Sequence, residues 1–156
     1  MKKRILFVCL GNICRSPSAE AVFKHQLEKK GLAGKFFVDS AGTSAWHAGE
    51  KADARMSRHA KKRGIELTSI SRQFIPDDFD RFDYIIAMDR ENMEELRRAA
   101  RNRQDMEKLY YMTDFSKKFK YNHVPDPYYG GEDGFELVLD LLEDATVGFL
   151  ESLSES

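Results

Sequence analysis

Residues 5–17 have the sequence ILFVCLGNICRSP, in which an apolar run leads into a short loop that ends at a proline. Continuous apolar residues such as Ile5 to Val8 are typical of a strand that is buried on both faces. Pro17 suits the first position of a helix, and apolar residues then recur at helical spacing as far as Gly31. The stretch therefore predicts a buried strand, a loop and a helix in direct succession.

The same alternation of short apolar runs and helical patterns continues along the chain. It predicts further strands at 36–38, 84–88 and 109–112, and further helices at about 53–63, 90–100 and 135–149. We therefore expect an α/β protein with a three-layer, Rossmann-like fold, in which helices cover both faces of a four-stranded parallel sheet. Because no linker or repeat divides the sequence, residues 1–156 are expected to form a single domain.

The composition is that of a globular domain with balanced charge. The 156 residues are 42% hydrophobic, and 25 Lys and Arg face 26 Asp and Glu, which gives a net charge of −1. This balance leaves no basic excess for nucleic acid, and every apolar run is far shorter than the ~20 residues that span a membrane. Two cysteines are too few for a secreted disulfide framework. We therefore expect a cytoplasmic protein.

The loop after the first strand, residues 9–16, has the features of an anion-binding site. Its backbone N–H groups, with those of the first helical turn, would converge at the positive end of the helix dipole. Gly11 allows a tight or left-handed turn, and Asn12 is among the few other residues that tolerate such backbone angles. Arg15 can hold two oxygens of a tetrahedral oxyanion with its planar guanidinium group.

The same positive field favours the thiolate form of Cys9, which a hydroxyl from Ser16 could stabilise. A thiolate beneath a tetrahedral phosphorus is suited to phosphoryl transfer to sulfur. An ordinary nucleotide-binding loop is not expected, because the Gly-x-x-x-x-Gly-Lys-Ser/Thr pattern is absent. The alternative is that Cys9 is a buried, inert cysteine at the end of a strand.

Asp126 is the candidate for the general acid that this chemistry needs. It lies between Pro125 and Pro127, which fix the backbone on either side of its carboxyl group. Alone, the segment favours a simple turn aspartate. In combination with the Cys9 loop, Asp126 is favoured as the group that protonates the departing oxygen.

Three separate segments resemble the low molecular weight protein tyrosine phosphatases: residues 6–17, DSAGT at 39–43 and DPYYG at 126–130. The resemblance covers essentially the whole chain. It implies that Cys9 is the nucleophile that forms a cysteinyl-phosphate and that Arg15 stabilises the transition state. It also implies that Asp126 acts first as an acid and then as a base toward water. Arg15 would supply the positive charge, so neither a metal nor a cofactor is expected.

The resemblance also implies roles for residues around the phosphate and the substrate ring. Asn12, Ser16 and Ser40 match positions that hold the shape of the loop. The substrate-binding set is expected to comprise Leu10, Gly11, Asn12, Ile13, Cys14, Ser16, Trp46, His47, Tyr128 and Tyr129. For Trp46 and one of the tyrosines, a place in the core remains an alternative. Relatives that act on phosphoarginine resemble Cys-x-Gly-Asn-Thr-Cys-Arg, so Ile13 in place of the threonine favours phosphotyrosine.

Two further features concern redox chemistry and loop support. Cys14 lies on the same loop as Cys9, so a disulfide is conceivable if their Cα atoms approach to ~4.4–6.8 Å. We hypothesise that peroxide reversibly inactivates the enzyme through this pair, the alternative being that Cys14 only packs. Many relatives carry a histidine bonded to the active-site loop where this chain has Ser69. The sequence therefore does not predict which residue of this segment supports the loop.

Together these features predict an enzyme that hydrolyses phosphotyrosine in proteins, and small aryl phosphates, with a monomer as the expected state. The closest alternative is an arsenate reductase, which shares the fold and the Cys-x5-Arg loop. Thioredoxin-coupled members need further cysteines, which are absent after Cys14, but a glutaredoxin-coupled form does not. A non-catalytic phosphate-binding or redox-sensing module is the third hypothesis, although a binding module needs neither a thiolate nor an acid.

Overall fold

A parallel sheet of four strands forms the centre of the computed structural model, which describes residues 2–128 and 130–154. The strands are β1 (Lys3–Cys9), β2 (Phe36–Gly42), β3 (Tyr84–Ala87) and β4 (Leu109–Tyr111). Their order is β2-β1-β3-β4, so the strand that leads into the Cys9 loop is an inner one. The predicted four-stranded parallel sheet is confirmed.

Six α-helices accompany the sheet in the described part of the chain. They are α1 (Arg15–Lys29), α2 (Ala54–Lys62), α3 (Asp78–Arg81), α4 (Arg90–Ala99), α5 (Arg103–Met106) and α6 (Glu132–Ser154). Two short 3-10 helices lie at Ala33–Lys35 and Met112–Phe115. Within the described residues, none of the helices combines the length and apolar character needed to cross a bilayer.

The alternating side chains of β1 connect the two outer layers to the sheet. Ile5, Phe7 and Cys9 lie in a core cluster with apolar residues of α1 and α6. Leu6 and Val8 point to the opposite face, where the cluster contains residues of α3 and α4. All five side chains are at most 2% exposed. The predicted strand buried on both faces, and the three-layer arrangement, are therefore confirmed.

The structure differs from the sequence prediction at the boundaries of some elements. Helix α1 begins at Arg15, so Pro17 is its third residue and not its first. Proline fits there because the first four N–H groups of a helix have no intrahelical acceptor. Strand β2 extends beyond residue 38 to Gly42, where it pairs with Cys9 at the end of β1. Strands β1 and β2 thus end side by side at the carboxyl end of the sheet, where the Cys9 loop begins.

Candidate active site

The nucleophile loop, residues 9–15, turns sharply between the end of β1 and the start of α1. The left-handed conformation predicted for Gly11 or Asn12 falls on Asn12, whose φ is 55°. At Gly11 the constraint is a close approach, because a Cβ there would lie 2.9 Å from Cδ2 of His47 and would displace that side chain. Gly42 has a similar role, since its Cβ would lie 2.7 Å from the Leu10 carbonyl oxygen. Both glycines let neighbouring segments pack directly against the loop.

The side chain of Asn12 holds the turn from inside. Its Nδ2 donates to Oγ of Ser16 at 2.7 Å and to Oγ of Ser40 at 3.0 Å. Its Oδ1 accepts from the backbone N–H of Arg72 at 3.0 Å. Ser40 in turn donates to the buried carboxylate of Glu20 at 2.7 Å. The structure thus brings the three predicted support residues into one buried hydrogen-bond network, and it adds Glu20 and Arg72.

Cys9 lies at the end of β1 with its sulfur facing the first turn of α1. Oγ of Ser16 is 3.0 Å from Sγ of Cys9, and the Ser16 N–H donates to the same sulfur at 3.4 Å. The Ser16 hydroxyl oxygen accepts from Asn12, and the acceptors within reach of its proton are the Cys9 sulfur at 3.0 Å and the Ala41 carbonyl at 3.4 Å. Both Ser16 contacts with the sulfur stabilise a negative charge on Cys9.

Arg15 is the buried cation of the site. Nη1 donates to Asp89 at 2.6 Å and to the Val124 carbonyl at 3.1 Å, and Nη2 lies 3.5 Å from the Asp126 carboxylate. Burial opposes the charge, but the negative charges of Cys9, Asp89 and Asp126 outweigh it and raise the pKa of Arg15. The guanidinium group is therefore positively charged, and Asp89 and the Val124 carbonyl fix its orientation in the cavity wall.

Asp89 has two functions in the structure. Its Oδ1 accepts from the Asn92 N–H at 2.8 Å, so it caps α4. Its Oδ2 is the acceptor for Arg15. The residue therefore fixes the guanidinium group relative to the end of β3.

Asp126 faces the nucleophile loop from the segment that precedes α6. Its side chain is 35% exposed, with Oδ2 toward Arg15, and its Oδ1 accepts from the Tyr128 N–H at 3.0 Å. Cys9, Arg15 and Asp126 line a single cavity of about 80 Å³. A wider cavity of about 990 Å³ shares Leu10, Arg15 and Asp126 but is not lined by Cys9. The smaller cavity is therefore the candidate site of chemistry.

Aromatic side chains surround the mouth of the small cavity. The His47 ring lies 6.4 Å from that of Trp46, nearly parallel to it, and 5.8 Å from that of Tyr128. Trp46 is 85% exposed, so the alternative place in the core is wrong for this residue. The Trp46 side chain lies on the cavity wall, beside the ring of His47. Tyr128 is half-buried, and Tyr129 lies outside the described residues.

The remaining loop residues form the cavity wall. Leu10, Gly11, Ile13 and Cys14 all line it. Cys14 is buried and, like Cys9, is a free thiol. Burial raises the pKa of the Cys14 thiol, and the negative charges of Asp53 and Cys9 raise it further. Cys14 therefore remains protonated beside the nucleophile.

The support expected near Ser69 comes from residues two and three positions further on. Oγ of Ser71 donates to the Gly11 carbonyl at 2.9 Å, and the Arg72 N–H donates to Asn12. Arg72 is held by ion pairs with Asp39 at 3.1 Å and Asp78 at 3.0 Å. The two contacts with the loop are not predicted from the sequence, because each joins residues that are 60 positions apart. The signal in the sequence is the serine at position 69, where many relatives have a histidine.

A thiol and a guanidinium group on one loop, with a carboxyl group across a small cavity, form a Cys-x5-Arg motif on a parallel α/β fold. The sequence matches the low molecular weight phosphotyrosine protein phosphatase family over residues 4–156. The chain belongs to this family.

Individual relatives agree with this assignment. The low molecular weight protein-tyrosine-phosphatase of Streptomyces coelicolor is 42% identical, over 99% of this chain and 96% of that protein. A crystal structure of a protein tyrosine phosphatase from Entamoeba histolytica has 48% identity and a TM-score of 0.96, covering 99% of this chain and 98% of that one. A Drosophila arginine phosphatase has 33% identity and a TM-score of 0.89, covering 98% of each chain.

Proposed function

We propose that this protein hydrolyses phosphotyrosine in proteins, and small aryl phosphates, through a cysteinyl-phosphate intermediate. The observation that carries the proposal is the convergence of Cys9, Arg15 and Asp126 on one cavity. A cavity of about 80 Å³ accommodates a phosphoryl group at the nucleophile loop while the aromatic ring remains at the mouth. The expected setting, a reducing cytoplasm, keeps the Cys9 thiol available.

The first chemical step transfers the phosphoryl group to sulfur. The Cys9 thiolate attacks phosphorus, an S–P bond forms and the bond from phosphorus to the phenolic oxygen breaks. Asp126 gives its proton to the departing oxygen, which leaves as a neutral phenol. Arg15 and the loop N–H groups bind the equatorial oxygens, whose charge they stabilise in the transition state.

The second step releases phosphate. The Asp126 carboxylate accepts a proton from water as the water oxygen attacks phosphorus, and the S–P bond breaks. The sulfur leaves as a thiolate, which receives the hydrogen bonds from the Ser16 hydroxyl and N–H. Inorganic phosphate departs, and Asp126 is again protonated for the next cycle.

The substrate class follows from the walls of the cavity. Trp46, His47 and Tyr128 provide aromatic surface for an aryl ring, and Ile13 contributes an apolar side chain beside it. The similarity to an arginine phosphatase means that the fold alone does not select between phosphotyrosine and phosphoarginine. Ile13 supports phosphotyrosine, because relatives that act on phosphoarginine resemble a loop with threonine at this position, and the aromatic walls supply contact area for an aryl ring.

Hydrolysis of a phosphotyrosine peptide and of an aryl phosphate by three forms of the protein tests the proposal. The wild type is expected to turn over both substrates and Cys9→Ser neither, whereas Asp126→Ala should retain binding and lose about 10²–10⁴-fold in kcat. Arsenate reduction by a wild type that is inactive on phosphate esters would contradict the proposal. Phosphate binding without turnover would indicate the non-catalytic module.

We also propose that Cys14 protects Cys9 during oxidation. Peroxide would oxidise the Cys9 thiolate to a sulfenic acid, and the Cys14 thiol would displace water from it to form a disulfide. Two electrons from an external thiol would restore both cysteines. Recovery after peroxide treatment should be nearly complete in the wild type and poor in Cys14→Ser. Equal recovery of the two proteins would overturn this proposal.

A further inference from the structure

Arg55, the second residue of α2, lies between the nucleophile loop and the segment that carries Asp126. Its Nη2 donates to the Tyr128 carbonyl at 2.9 Å, and its guanidinium carbon lies 5.4 Å from the centre of the Tyr128 ring. It also lies 5.0 Å from the ring centre of Phe135 in α6. Arg55 therefore contacts both the acid segment and the helix that follows it.

Asp53 fixes Arg55 from the other side. The Asp53 carboxylate accepts from Nε and Nη2 of Arg55 at 3.3 and 3.1 Å. It also caps α2 by accepting the N–H groups of Arg55 and Met56 at 2.8 and 3.2 Å. Burial opposes the charge of this carboxylate, but the hydrogen bonds from Arg55 and Met56 outweigh it and lower the pKa of Asp53. The ion pair is thus part of the start of α2, with the Asp53 side chain 9% exposed and the Arg55 side chain 38% exposed.

The backbone completes a connection between the two loops. The Asp53 N–H donates to the Ile13 carbonyl of the nucleophile loop at 2.8 Å. At the other end, the Tyr128 carbonyl accepts from Arg55 and the Tyr128 N–H donates to Asp126. Ile13, Asp53, Arg55, Tyr128 and Asp126 therefore form a continuous chain of contacts from one loop to the other.

We propose that Arg55 is a positioning residue that fixes the carboxyl group of Asp126 relative to the sulfur of Cys9. The inference rests on the proposed function, because it concerns the acid of that reaction. Arg55 does not line the cavity. It acts on Asp126 through the backbone of Tyr128, whose carbonyl binds Arg55 and whose N–H binds Asp126. A planar fork that binds a carboxylate and a carbonyl together is suited to this role, whereas an ammonium group holds both acceptors less rigidly.

Leaving-group dependence separates positioning of the acid from other effects. A displacement of about 1 Å in a catalytic group costs about 10²-fold in rate, and the loss falls on leaving groups that need a proton. Arg55→Ala should lower kcat/KM for phenyl phosphate by about 10–100-fold. For 2,4-dinitrophenyl phosphate, whose phenolate departs unprotonated, the reduction should be less than about threefold. In an Asp126→Ala background, Arg55→Ala should have almost no further effect on either substrate.

Two variants control for charge and for general damage to α2. Arg55→Lys keeps the positive charge, so complete recovery of phenyl phosphate hydrolysis in this variant would overturn the proposal in favour of a purely electrostatic role. Arg58→Ala removes an arginine of the same helix whose side chain is 61% exposed and 3.9 Å from Glu132. It should leave both substrates unchanged. Urea unfolding of each variant confirms that the folded protein is measured.

The outcomes distinguish this inference from the proposed function. If Asp126→Ala discriminates between the two leaving groups and Arg55→Ala does not, the positioning role is wrong and the proposed mechanism stands. Equal loss on both substrates in Arg55→Ala, or an additive loss in the double variant, also overturns the positioning role. If Asp126→Ala itself fails to discriminate, the assignment of the acid is wrong and the role of Arg55 falls with it.

Discussion

Asn12 is the residue on which the shape of the nucleophile loop depends most directly. A left-handed conformation costs an L-residue roughly 1–2 kcal/mol, and Asn12 adopts it with a φ of 55°. The Asn12 amide donates to Ser16 and Ser40 and accepts from the Arg72 N–H, and these three hydrogen bonds offset this cost. The same bonds align the Ser16 hydroxyl with the sulfur of Cys9, so backbone strain and nucleophile stabilisation are coupled in one side chain.

Replacing Asn12 by alanine and by glycine separates the two contributions. Both variants lose the amide hydrogen bonds, but only alanine retains the steric cost of the left-handed backbone. Asn12→Gly should therefore be more stable than Asn12→Ala by about 1 kcal/mol in urea unfolding, although both should lose activity. Equal stability of the two variants would show that the turn relaxes when the amide is removed.

The matched control is the exposed Arg97 of α4. In a regular helix glycine is about 1 kcal/mol less favourable than alanine. Arg97→Gly should therefore be less stable than Arg97→Ala, which is the opposite order from position 12.

At the scale of elements, the contact between α2 and α6 holds the segment that carries the acid. His59 is 5% exposed, and its ring stacks on that of Phe135 at 5.4 Å. Nδ1 of His59 contacts Glu136 and Nε2 contacts Glu132. Both ring nitrogens of His59 therefore face carboxylate groups of α6. The first turns of α6 are therefore fixed to α2 by polar contacts as well as by packing.

Glu136 makes this contact sensitive to acid. Hydrogen bonds from Arg63 and His59 lower the pKa of Glu136 in the folded protein. Its contribution to stability is thus fully present above the unfolded pKa of about 4.3 and is lost as the pH falls through the lower folded value. Glu136→Gln should reduce the free energy of unfolding at pH 7 by about 0.5–1 kcal/mol, a modest figure because the side chain is 42% exposed.

Urea unfolding at a series of pH values between 7 and 3 measures this dependence. The difference between the wild type and Glu136→Gln should shrink below about pH 4.3. Glu66→Gln, a change at an exposed residue outside α6, should follow the wild type throughout. A difference between wild type and Glu136→Gln that stays constant with pH would contradict the role assigned to this carboxylate.

The longer elements could be predicted because their residues carry a clear period. The four strands and the helices α1, α2, α4 and α6 all appear in the sequence pattern. Helices α3 and α5 could not be predicted, because four residues are too few to show helical spacing. The start of α6 at Glu132 also escaped the pattern, since the first apolar residue of its buried face is Phe135.

At the scale of the whole molecule, local motifs predicted the centre of the site and long-range contacts built its support. Cys9, Arg15 and Ser16 lie in one loop, so their spacing is visible in the sequence. Glu20 and Arg55, by contrast, act on the site through partners from distant segments, which single-sequence reasoning does not locate. Both cysteines lie in the nucleophile loop, and the net charge of the chain is −1. Positive charge for anion binding is therefore expected from this loop and not from the protein surface as a whole.

Trapping the covalent intermediate tests the central claim most directly. Wild-type protein is mixed with a phosphotyrosine peptide and stopped with denaturant within milliseconds, and the site of modification is mapped by mass spectrometry. The account predicts one phosphoryl group on Cys9 in the wild type and none in Cys9→Ser. Rapid dephosphorylation of the peptide without phosphorylated Cys9, or with the phosphoryl group on another residue, would contradict it.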